Sequence, residues 1–252
     1  HGLTVDLDDA IVQSCDVYFY ELAYKLGIDR LHSFGQRFGL GATTGVDNTN
    51  ERRGLMPSRE WKQESRGTHW YPGETINVGI GQGFMLVTPL QLAVSTSVLA
   101  SRGELRAPRL LAAVGDSPVQ APLLGQLEDV PEGAWETVIR SMERVIQGAR
   151  GTARILGKDL KYSLAGKTGT AQVVSIAQGE KYDAEALELR KRDHALFVAF
   201  APVENPEIAV AVVIENGEHG GSVAGPVARK VMDAFLLDTL APMPEISGVS
   251  DE

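Results

Sequence analysis

Two almost unbroken apolar runs, residues 195–201 and 208–214, constrain this chain more than any other feature of its sequence. A strand that is apolar at successive positions has no polar face to give to water, so both faces of its sheet must be covered. Only residues 202–207 join the two runs. Parallel strands need a crossover of a dozen or more residues, so this connection dictates an antiparallel hairpin. Residues 164–174 read as a third strand.

Helical periodicity supplies the cover. Residues 6–27 read as two helices, with Leu7 and Ile11 on one face of the first and Phe19, Leu22, Ala23 and Leu26 lining the second. Between them lies Ser14-Cys15-Asp16, where Asp16 has the chemistry of an N-cap. Gly27 closes the second helix, and residues 28–38 make a third. Thr88 as N-cap and Pro89 at the first helical position open another, striped by Leu90, Ala93, Val94 and Val98. Residues 132–148 form an amphipathic helix with Trp135, Ile139, Met142 and Val145 inside and Gly148 as its stop. The last helix, residues 223–237, is expected to bury Val223, Val227, Val231 and Phe235. Residues 39–70 read as irregular surface structure, and residues 102–131, with four prolines, as loops with two short strands. The expected fold class is α+β: an α/β sandwich whose antiparallel sheet is flanked by helices on both faces. It forms one domain over residues 1–240, with a flexible tail at 241–252.

Composition narrows function by exclusion. The chain has 33 acidic and 24 basic residues, a net charge of −9 and no basic stripe, which excludes nucleic acid as a partner. Its longest apolar stretch falls far short of the roughly 18 residues that span a bilayer. A single cysteine, Cys15, excludes an internal disulfide and an all-cysteine zinc cluster. The chain starts at His1 without Met or a targeting segment, as expected of a fragment or of a protein that has lost an N-terminal part.

Two motifs carry chemistry. Lys167-Thr168-Gly169-Thr170 lies inside the strand predicted over residues 164–174. A glycine weakens a strand interior unless another backbone must come close, and a lysine with flanking hydroxyls suits the carboxylate of an extended peptide laid alongside. The same four residues also fit an edge strand with an incidental glycine and a surface lysine. In Ser14-Cys15-Asp16, residues two apart on a helix point away from each other, but in an extended interhelical loop Ser14 and Asp16 face the same way. Both residues also serve as plain caps.

Together the motifs resemble the active-site serine penicillin-recognising enzymes: a Ser-x-polar triplet between helices and, far downstream, a Lys-Thr-Gly strand. Gly79-Ile80-Gly81-Gln82-Gly83 before Thr88-Pro89-Leu90-Gln91, the turn Gly151-Thr152-Ala153, and Phe197-Val198-Ala199-Phe200-Ala201-Pro202 extend the resemblance. Tyr18-Phe19-Tyr20, Met56-Pro57-Ser58-Arg59-Glu60-Trp61-Lys62 and Arg192-Asp193-His194 narrow it to class B penicillin-binding proteins of rod-shaped Gram-negative bacteria. The resemblance covers nearly all of residues 1–240. It implies the penicilloyl serine transferase (β-lactamase-like) fold and a peptidoglycan D,D-transpeptidase of cell elongation at the periplasmic face of the inner membrane.

What the resemblance implies for the residues is acyl transfer from a terminal D-Ala-D-Ala through a serine ester. Ser14 and Lys167 are the catalytic residues carried over, with Ser14 relaying a proton and Lys167 keeping the site cationic. Thr168 and Thr170 hold the substrate carboxylate, Gly169 lies between them on the substrate strand, and the Thr170 N–H is one oxyanion donor, worth about 3 kcal/mol in the transition state. Asp16 faces the substrate where most of the family has Asn, and an ionised carboxylate only accepts, so it is expected to order its surroundings. The family nucleophile lies in a Ser-x-x-Lys tetrad, and no serine here has Lys three residues on. The nucleophile is therefore expected upstream, and this chain alone is expected to be inactive. Partners implied are the peptidoglycan stem peptide, β-lactam antibiotics, a RodA-type glycosyltransferase and MreC, with a membrane reached only through an N-terminal anchor outside this chain. No cofactor is required for the chemistry.

Competing readings stay open on the sequence. A serine β-lactamase shares the fold, but no deacylating carboxylate motif is found; a non-catalytic penicillin-binding sensor or scaffold also fits a chain without the tetrad. Cys15 reads either as a small buried hydrophobe or, with His1, as a ligand pair for the structural zinc that some relatives carry. His219-Gly220-Gly221-Ser222-Val223-Ala224 imitates a nucleophile elbow, but it lacks the second glycine and no histidine follows it, so it reads as a turn.

Overall fold

The computed structural model describes residues 4–174, 185 and 187–238. His1 and the tail at 241–252 therefore lie outside the described residues, as do residues 175–184 and 186. The chain opens with α1 (Leu7–Val12), α2 (Asp16–Leu26) and α3 (Ile28–Arg37). Asp6 caps α1 through its side chain, which accepts from the Asp9 N–H at 2.8 Å. Cys15, not Asp16, occupies the N-cap of α2, and it makes no side-chain cap bond. Asp16 is the first helical residue, where its charge faces the positive end of the helix dipole.

Residues 39–70 are not irregular throughout. Ser58 accepts from the Trp61 N–H at 3.1 Å and starts α4 (Arg59–Arg66), and α5 (Pro72–Gly79) follows. The short apolar content of α4 hides it from a periodicity search. Its Lys62 is buried and pairs with Glu74 of α5, whose other carboxylate oxygen accepts from the Tyr71 N–H at 2.8 Å. Lys62 also lies 4.5 Å from the centre of the Tyr71 ring, so the buried ammonium has both a counter-charge and an aromatic face.

Thr88 caps α6 (Pro89–Ala100) in the expected way, and Gln91 completes a capping box. Residues 102–131 hold four short strands in two ladders: β1 (Glu104–Arg106) with β4 (Leu123–Gln126), and β2 (Ala113–Val114) with β3 (Ser117–Pro118). The amphipathic helix α7 (Glu132–Gln147) buries Trp135, Ile139, Met142, Val145 and Ile146 and ends at Gly148.

The central sheet has the order β5 (Ala165–Ala171), β6 (His194–Ala201), β7 (Ile208–Ile214), antiparallel throughout. Its register sets Lys167 opposite Val198 and Gly169 opposite Leu196, leaving β5 at the edge. Phe197 and Phe200 are 1% and 0% exposed, each burial worth about 2–3 kcal/mol relative to exposure. Helix α6 and the last helix, α8 (Gly225–Leu236), both pack on β7 while scarcely touching each other, as covers on opposite faces must.

Helix α8 buries a different stripe from the one its valines suggest. Ala224, Ala228 and Met232 are buried, whereas Val223, Val227, Val231 and Phe235 are 36%, 42%, 44% and 56% exposed. The helix carries two apolar stripes, and the one with small residues lets its backbone come closer to the sheet.

Candidate active site

Ser14 stands at the junction of α1 and α2, and the junction is a Schellman turn rather than an extended loop. The Ser14 N–H donates to Ile11 O at 3.3 Å and the Cys15 N–H to Ala10 O at 2.9 Å, with Ser14 left-handed at φ 53°. That turn, more than an extended path, brings Ser14 and Asp16 to one cavity of about 830 Å³. Lys167, Thr168, Gly169 and Thr170 line the same cavity from β5. Separated by 153 positions in the chain, Lys167 Nζ donates to Ser14 Oγ at 2.9 Å and to Thr168 O at 2.9 Å.

Burial governs the lysine. Desolvation pushes its ammonium down from 10.5 to about 8, and the charge of nearby Asp16 opposes the fall. Lys167 therefore stays charged at neutral pH but is close to giving up a proton. Asp16 supplies the negative potential that keeps it so, which agrees with a supporting carboxylate better than with a substrate hydrogen bond.

The glycine that permits a close backbone approach is Gly220, whereas a Cβ on Gly169 would meet Leu196 Cβ alone, at 3.2 Å. A Cβ on Gly220 would lie 2.8 Å from Gly169 O and 2.3 Å from Leu196 O. Gly221 is equally tight, since a Cβ there would meet Thr152 O at 2.5 Å. The decoy segment around His219 is thus a close-packed π-helical turn (Gly220–Ala224) behind the edge strand. On that side Thr168 Oγ1 lies 3.0 Å from Thr152 Oγ1, and Thr168, Thr170, Arg154 and His219 border a second recess of about 520 Å³ that also reaches Ser14. A carboxylate there would meet two hydroxyls and a guanidinium.

Three further residues at the cavity were assigned no role from the sequence. Asn77 from α5, Gln82 from the glycine-rich turn and Asp193 before β6 all line it. Gln82 and Asp193 lie in Gly79-Ile80-Gly81-Gln82-Gly83 and Arg192-Asp193-His194, two segments that carry the family resemblance, whereas Asn77 has no such signal. Helix α5 reaches the cavity because Gly79 packs on α2, where a Cβ would fall 2.2 Å from Ala23 Cβ.

Cys15 is buried at 6% exposure, in keeping with the hydrophobe reading. Among the described residues no three His, Cys, Asp or Glu side chains gather in a metal-holding group. His1, the other ligand the resemblance implies, lies outside the described residues.

A serine hydroxyl bonded to a desolvated lysine, beside an outer strand flanked by threonine hydroxyls, defines a class of site: one that takes an extended peptide and works on its carbonyl. Comparison with known proteins narrows the class. The family described as "Penicillin binding protein transpeptidase domain" matches residues 1–233, and the chain belongs to it. It is 44% identical over 240 residues to the peptidoglycan D,D-transpeptidase MrdA of Haemophilus influenzae, covering 94% of this chain and 37% of that protein. The crystal structure of Pseudomonas aeruginosa PBP2 in complex with WCK 5153 superposes with a TM-score of 0.81 at 48% identity, over 93% of this chain and 48% of that one. PBP2 of Helicobacter pylori in complex with MreC gives 0.80 at 30% identity, over 95% and 42% of the two chains. The chain thus spans well under half the length of this curated relative.

Proposed function

We propose that the protein to which this chain belongs is a peptidoglycan D,D-transpeptidase of cell elongation and a β-lactam target, acting at the periplasmic face of the inner membrane. The observation that carries the reading is the Lys167–Ser14 hydrogen bond at the open edge of β5. Identity to MrdA over nearly the whole chain supports the same substrate class.

The chemistry divides as follows. A serine outside residues 1–252 attacks the carbonyl of the penultimate D-Ala; its oxygen bonds to that carbon, the peptide C–N bond breaks, and D-Ala leaves with the proton. Ser14 passes that proton from nucleophile to leaving amine, and Lys167 stabilises the hydroxyl in its donor or acceptor state. Thr168 and Thr170 hydroxyls receive the terminal carboxylate. The Thr170 N–H faces outward from the sheet and donates to the carbonyl oxygen as charge develops on it. An amine of a second stem peptide then attacks the ester, forming the cross-link and releasing the serine. MreC is a proposed partner, supported by the structure of the Helicobacter pylori relative with MreC, and a RodA-type glycosyltransferase, implied by the family resemblance, is the other.

Labelling with a fluorescent penicillin tests the reading. The full-length protein is expected to label covalently, and Lys167→Ala or Ser14→Ala to slow labelling by about a hundredfold or more. Absence of covalent labelling in the full-length protein refutes it; labelling without cross-linked product favours the sensor reading. Zinc on His1 and Cys15 is a separate proposal, settled by metal analysis of the full-length protein with and without Cys15→Ser. A metal-free wild type ends it.

A further inference from the structure

An outer strand exposes backbone groups on one side, and these are the groups an extended peptide pairs with when it joins a sheet. On β5 they belong to Gly166, Thr168 and Thr170, and to Gln172 just beyond its end, because the N–H and C=O of one residue point to the same side and alternate along the strand. Lys167 Nζ already occupies Thr168 O, and one side chain, Gln82, engages the next two residues. Gln82 Nε2 donates to Thr170 O at 2.7 Å, and Gln82 Oε1 accepts from the Gln172 N–H at 3.4 Å. A primary amide that offers donor and acceptor in this spacing reproduces one peptide unit of a neighbouring strand.

The backbone holds Gln82 in that position. Its N–H donates to Asn77 O at 2.9 Å, and Gly81 and Gly83 on either side adopt φ of +79° and +73°, which L side chains rarely reach. Behind the turn, α5 is seated on α2 through Gly79. Gln82 is therefore a fixed arm laid across the cavity onto the edge strand.

We propose that Gln82 is a stand-in for the acyl-donor peptide: an incoming chain must displace it before the chain's own amide N–H reaches Thr170 O. The residue thereby selects for ligands that carry an amide donor at that place, since a ligand without one leaves the carbonyl unpaired. This inference rests on the acyl-transfer reading above.

The test compares full-length wild type, Gln82→Ala and Gln82→Glu for the second-order rate of acylation by a penicillin with an acylamino side chain. Neither variant can donate to Thr170 O, so both should acylate about three- to tenfold faster, the effect of one neutral hydrogen bond. Unchanged or slower acylation in either variant overturns the proposal. Failure of the acyl-transfer reading looks different, as no acylation of any of the three proteins. Native-state hydrogen exchange then decides: the Gln172 amide must exchange several-fold faster in Gln82→Ala than in wild type, and equal rates overturn the proposal.

Discussion

Ser14 occupies a backbone conformation that disfavours it. The C′ position of a Schellman turn wants glycine, and a side chain in the left-handed region costs about 1–2 kcal/mol. The hydroxyl is retained there because only that turn aims it at Lys167. In urea unfolding, Ser14→Gly is expected to be more stable than Ser14→Ala by about 1 kcal/mol, although both lose the hydroxyl. Equal stabilities would show that the turn is not strained. Lys167 has its own signature. Its pKa is about 8 when folded and near 10.5 when unfolded, so below pH 8 the folded state carries the full cost of a buried ammonium. Between pH 8 and 10.5 the unfolded chain binds more protons, and stability rises with pH. Relative to Lys167→Met, the wild type should gain about 3 kcal/mol from pH 7 to pH 10.5, read by denaturant unfolding at each pH. A flat difference would place the lysine in water.

Elements are held in place by polar residues that periodicity does not reveal. Gln91 of α6 is 0% exposed, and its amide accepts from the Thr88 N–H at 2.9 Å while donating to Ala42 O and Arg53 O, each at 2.7 Å. One side chain thus completes a helix cap and ties down the chain around residues 42–53. Gln91→Leu keeps the volume but strands three backbone groups, and should destabilise the protein by about 3 kcal/mol in urea unfolding. A loss below about 1 kcal/mol would mean that water reaches those groups. Helix α8 shows why element type is more legible than element orientation. Its start, length and apolar character follow from the sequence, yet Val227 and Val231 face out and Ala228 and Met232 face in. Propensity sees a helix; only the partner surface chooses which of two stripes it accepts. Helix α4 failed for a related reason, since its one buried side chain is a lysine.

At the scale of the whole molecule, the described residues form two cores of unequal extent. The larger gathers residues from α7, the β5–β7 sheet and α8, whereas the smaller centres on Ile28, Met56, Trp70 and Val78 among α3, α4 and α5. Hydrogen exchange should therefore find β6 amides opening at close to the global unfolding free energy and α4 and α5 amides at distinctly less. Equal protection would make the two cores one cooperative unit. The β6–β7 hairpin, the capped helix α6, the amphipathic helix α7, the Lys-Thr-Gly strand and the missing Ser-x-x-Lys were all determined by the sequence itself, because each is a local pattern of polarity, spacing or turn chemistry. The Ser14–Lys167 contact, the bond from Gln82 to β5, the seat of Gly220 on Gly169 and the buried face of α8 were decided by the tertiary structure alone. Those features pair residues from distant parts of the chain, and which surfaces meet depends on packing and on burial of particular polar groups that no local pattern encodes.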